Sequence, residues 1–117
     1  MKWTLVAGGV FGFLSVALGA FAAHALKARL DEYSLDVFRT GVEYQFFHAL
    51  ALILVGGLSE RYPQLKTSAV SFTVGIVVFS GSLYALALTG AKWLGAVTPL
   101  GGVAFLIGWG LFVKAIL

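Results

Sequence analysis

Four long apolar runs occupy almost the whole chain: Trp3 to Ala25, Val42 to Leu58, Thr67 to Leu88 and Thr98 to Ile116. At about 1.5 Å rise per residue, each is about long enough as a helix to cross a hydrocarbon core of roughly 30 Å. The first, third and fourth carry no charge before their last turn, and the second carries one only at its entrance. The runs predict an all-α fold: an integral-membrane four-helix transmembrane bundle that forms a single domain over residues 1–117.

Composition narrows the alternatives. Apolar residues make up 60% of the chain and charged residues 11%, where an ordinary soluble domain has about 45–50% and ~25%. A soluble four-helix bundle would show a polar stripe on every helix; these segments are apolar all round, so lipid is the solvent they face. The net charge is +3, but the eight Lys and Arg lie scattered at segment ends. That distribution fits anchoring at head-group level and excludes a nucleic-acid partner, which needs cations clustered on one face. The absence of Cys excludes disulfides, thiol catalysis and cysteine-ligated metals. Lys2 followed by an apolar stretch ending in Ala20, Ala22, Ala23 and Ala25 has the outline of a signal peptide. The run is longer than the core of one, and is expected to be a retained span.

Between the spans, Leu26 to Gly41 is the only sizeable connection. Leu30, Tyr33, Val37 and Phe38 recur at helical spacing among charged residues, which predicts a short amphipathic surface helix over about 30–40 that turns into the second span near Gly41. Gly56-Gly57 reads as the end of the second span, and Pro63 sits in the next connection, where no helix can continue. Thr98-Pro99 reads as the N-cap and first residue of the fourth span. The TPLGG run there could leave N–H groups open to an anion, although packing is the more ordinary use of Gly101 and Gly102.

Four spans place both termini on one side. Lys2, Arg61, Lys66 and Lys114 lie on that side, against Lys27, Arg29, Arg39 and Lys92 opposite, a tie of four to four. Asp31, Glu32, Asp36 and Glu43 neutralise the second group; carboxylates weigh little in the rule, and the termini are expected in the cytoplasm. Such a tie also admits insertion in both orientations, and with it antiparallel dimers.

Small residues recur along three spans, with Gly8, Gly12 and Gly19 in the first, Gly75 in the third, and Gly101 and Gly108 in the fourth. Burial cannot drive helices together in lipid, so these positions are expected to allow close backbone approach within the bundle.

Polar residues inside the spans are the candidates for function. The stretch GVEYQFFHALAL brings Glu43, Tyr44, Gln45 and His48 into the second span. Tyr44, Gln45 and His48 share a helical face by their spacing of four and three, whereas Glu43 points about 140° away from His48. Arg39 lies one turn before Glu43 as a natural ion-pair partner. Connectivity puts His24, Tyr84 and Thr98 in the same leaflet as this group. Ionisable groups in spans default to a functional site; at this shallow depth a satisfied polar cap fits better, with Glu43 paired to Arg39 and His24 bonded to a free carbonyl. No histidine spacing puts metal ligands on one helical face, no catalytic set is visible, and neither metal nor cofactor is expected.

GAFAAHALK from Gly19, FRTGVEYQFFHALAL from Phe38, GSLYALALTG from Gly81 and TPLGGVAFLIGW from Thr98 together resemble a family of small four-span bacterial membrane proteins. It is the YgdD/YwdK-like family, known as domain of unknown function 423 and uncharacterised protein family 0382. The resemblance covers essentially the whole chain, with Ala22-Ala23 before His24 as a local departure where a Gly is expected. It implies a multi-pass protein of the bacterial cytoplasmic membrane and carries over no activity, substrate or cofactor. The expected function is non-enzymatic, acting through helix–helix contacts. Its partners are membrane lipid and a second copy or another membrane protein. The alternative is a small transporter or channel that uses the polar cluster for a proton, ion or polar solute.

Overall fold

Hydrocarbon offers a backbone N–H no partner but a carbonyl one turn back, and each apolar run is helical throughout. The computed structural model describes all 117 residues. Helix α1 (Lys2–His24) ends in a short 3-10 turn at Leu26–Ala28 and leads to α2 (Glu32–Leu58). The third span is α3 (Leu65–Gly75), a π-helical turn at Ile76–Ser80, and α4 (Gly81–Thr89); α5 (Leu94–Ile116) is the fourth. All four spans are long and apolar enough to cross a membrane, with no strand anywhere.

The bundle is open and flat. α2 and the third span form its middle, α1 runs along α2, and α5 runs along the third span. The Cα envelope measures 47 × 26 × 17 Å, broader in one cross-section direction than the other. Along the α1–α2 seam, Gly8 lies against Ile53 and the Ala49 carbonyl, Gly19 against Val42, and Leu5 against Gly56, which sets an antiparallel register. Between the third span and α5 the packing is reciprocal: the Phe105 ring covers Gly75, and the Phe72 ring covers Gly108.

The segment expected as a separate surface helix over 30–40 is helical but continuous with the second span, with no turn at Gly41. Tertiary packing overrides the break that a glycine suggests, because a Cβ at Gly41 would stand 2.7 Å from the Tyr84 ring. The buried face of this segment is Leu35 and Phe38, which join Ala22, Leu26 and Ala87 in a small core, while Tyr33 stays exposed. Asp31 caps the helix by accepting from the Ser34 N–H at 2.9 Å.

Two further readings differ from expectation. The second span ends at Leu58 as expected, but Gly56-Gly57 lies within α2 and does not cap it, since Gly56 serves to admit Leu5. α5 begins at Leu94, leaving Pro99 inside its second turn; bonds from Leu94, Gly95 and Ala96 to carbonyls three residues back start the helix early. Only Gly90 has a positive φ, 71°, where it closes α4.

Candidate functional site

Tyr44 apart, the polar candidates fall into two sets that the structure separates. Gln45, His48, Tyr84 and Thr98 are tied into the interior by hydrogen bonds between helices. His24, Arg39 and Glu43 are exposed on the outside of the bundle, and Glu43 and Arg39 form no ion pair.

Gln45 is a clamp between three spans. Its Nε2 donates to the Phe11 carbonyl of α1 at 2.9 Å, and its Oε1 accepts from the Tyr84 hydroxyl of α4 at 2.6 Å. Ser80, in the π-helical turn, donates to the Gly41 carbonyl at 2.7 Å and adds a second tie between the third span and α2. That turn widens where the backbone of Phe79 rests on Gly101, with the Phe79 Cα 2.6 Å from where a Cβ would stand.

His48 makes the link to α5. The Trp109 indole N–H, which can only donate, reaches His48 Nε2 at 3.0 Å. Nε2 must therefore accept, and the ring proton sits on Nδ1, which donates to the Tyr44 carbonyl at 2.8 Å. The imidazole stacks on Phe105 with ring centroids 3.6 Å apart and planes 10° from parallel. Both nitrogens are thus occupied, and no group of three His, Asp or Glu side chains converges anywhere that could hold a metal. Tyr44 contributes aromatic contacts, with its centroid 4.8 Å from that of Phe79.

Thr98 pairs with Ser82 at 2.6 Å. Toward the opposite membrane face along the same interface, Ser68 donates to the Gly108 carbonyl at 2.8 Å and Ser71 to that of Ala104 at 2.6 Å. Of the packing glycines, Gly8, Gly75, Gly101 and Gly108 make close interhelical approaches and Gly19 an ordinary one, while nothing lies within 4 Å of a Cβ at Gly12. Trp109 and the serines of the third span were not singled out from the sequence. For the serines the signal available was the hydroxyl: Ser68, Ser71 and Ser82 follow a seven-residue seam pattern, and a hydroxyl on a seam in lipid reaches for a carbonyl across it.

Fold and site together define a class: a small multi-pass helical membrane protein whose interior polar groups join span to span. The chain belongs to the family described as "Protein of unknown function (DUF423)", matched over residues 18–102. It is 43% identical to the UPF0382 membrane protein YwdK of Bacillus subtilis, over 98% of this chain and 96% of that one. It is 40% identical to the UPF0382 inner membrane protein YgdD of Escherichia coli K12, over 96% and 87%, and 47% identical to a UPF0382 membrane protein of Haemophilus influenzae, over 91% and 85%. No solved structure matches the chain.

Proposed function

We propose that the protein is non-enzymatic and works in the cytoplasmic membrane, termini inside, by helix–helix contact with a membrane partner or with itself. One observation carries this reading: most of the buried polar side chains are spent on holding spans together. Of the eight, Gln45, His48, Ser68, Ser80 and Ser82 bond across spans, Ser15 and Ser59 bond carbonyls of their own segment, and only Thr4 Oγ1 lacks a partner. A transporter instead needs polar groups free to exchange partners along a path through both leaflets. On the terminal side of His48 the interior is closed by Leu52, Val55, Leu65 and Phe72, each with no exposed surface. The test is flux: in proteoliposomes with an imposed pH or potassium gradient, the protein should leak no faster than protein-free vesicles. A flux that falls in Glu43→Gln or His48→Phe would overturn the contact reading in favour of a transporter.

A further inference from the structure

On the outer side of the α1–α2 seam lies an apolar groove of about 470 Å³, with Gly9 and Gly12 at its floor and Val16, Phe46 and Leu50 along it. Val16 and Phe46 also line a smaller groove that continues to Glu43. Glu43 falls inside the apolar run that begins at Val42, yet its carboxylate is exposed and unpaired. An ionised group in that position is costly without a counter-charge. Arg39, one turn nearer the head groups on the same face of α2, is also exposed and unpaired.

The face is complementary to itself. Arg39, Glu43, Phe46, Leu50 and Ile53 alternate in steps of four and three, so they form one ridge along α2, and all five are exposed. Because Gly8 meets Ile53 and Gly19 meets Val42 across the seam, ridge and groove stand at the same depth. A two-fold axis along the membrane normal therefore sets the ridge of each copy against the groove of the other. Arg39 of each copy then faces the other copy's Glu43, which lies about 6 Å deeper. An arginine side chain spans that offset.

We propose that this face of α1 and α2 binds a second copy of the chain in parallel orientation, sealed toward the head groups by two Arg39–Glu43 ion pairs between copies. It rests on the contact reading and names its partner. The chain has no cysteine, so Leu50→Cys introduces a single thiol in the apolar part of the ridge, between Phe46 and Ile53. In native membranes under oxidant it should form a disulfide dimer, whereas Leu106→Cys, on the outer face of α5 and 72% exposed, should not. Glu43→Arg in the Leu50→Cys background should cut the dimer by roughly tenfold, and adding Arg39→Glu should restore it. A Leu50→Cys yield no higher than that of Leu106→Cys overturns the dimer and leaves the contact reading to the flux measurement. Cross-linking unchanged by Glu43→Arg overturns the parallel geometry, because an antiparallel pair holds the two charges in opposite leaflets and ignores the swap.

Discussion

Gln45 concentrates the question of what a polar residue is for in a membrane. Its amide satisfies a carbonyl on one neighbouring span and a hydroxyl on another, so losing it strands two groups at once. Interhelical hydrogen bonds in lipid are worth about 0.6 kcal/mol on average and up to about 1.7. Gln45→Leu should therefore destabilise the detergent-solubilised protein by about 1–2 kcal/mol in an unfolding titration. Adding Tyr84→Phe should cost less than the two single changes summed, because the stranded hydroxyl goes with it; strict additivity would sink the clamp. Asp31 offers a test outside the spans. Hydrogen bonds from the Ser34 hydroxyl, and then from its N–H, hold the Asp31 carboxyl below its ordinary range. A depressed value means that the cap stabilises the fold above the unfolded pKa, about 3.9, and is lost as pH falls through the folded one. The Ser34 amide resonance should titrate with a midpoint below about 3.9; a midpoint at or above that value contradicts the cap. At this scale the sequence was half legible. Gln45 and His48 stand out as polar groups inside an otherwise apolar run, whereas Trp109 does not, since tryptophan is ordinary at a membrane surface and its partner lies 61 residues away.

Among the elements, the glycines divide by what lies opposite them. Gly101 faces backbone, and a methyl there would stand 2.6 Å from the Phe79 Cα, which cannot move aside like the end of a side chain. Gly12 faces open space. Gly101→Ala should cost about 1–3 kcal/mol, as overpacking does, while Gly12→Ala should stay within about 0.5 kcal/mol of the parent. Equal shifts in detergent unfolding would refute the assignment of the third span–α5 seam. Sequence alone could not separate the two, because both are small residues at helical spacing and only the register shows which way each points. The same holds for helix ends. Gly41, Gly56 and Pro99 are all breakers by local preference, yet all lie within helices, because lipid penalises an open backbone turn more than it penalises a poor helix former.

Across the whole molecule, the four spans were legible because hydropathy reports the solvent directly, but their arrangement was not, since any four apolar helices can meet in several orders. The flat order found here makes the bundle mechanically uneven. α5 is held to its neighbours by the Ser68, Ser71 and Ser82 bonds, the reciprocal Phe–Gly contacts and Trp109–His48. α1 packs along α2, with the Gln45–Phe11 bond as its side-chain tie to another helix. Local stability follows the number of such contacts, so α1 should detach first while the other three spans stay assembled. Single cysteines read this directly: Ala22→Cys reports the α1 seam and Ala69→Cys the α3 core, both positions being almost fully buried in the native state. In a rising SDS titration the thiol at 22 should be alkylated at a lower detergent fraction than the thiol at 69. Coincident labelling would mean that the four spans unfold as one cooperative unit, and that α1 is bound by more than its single seam with α2.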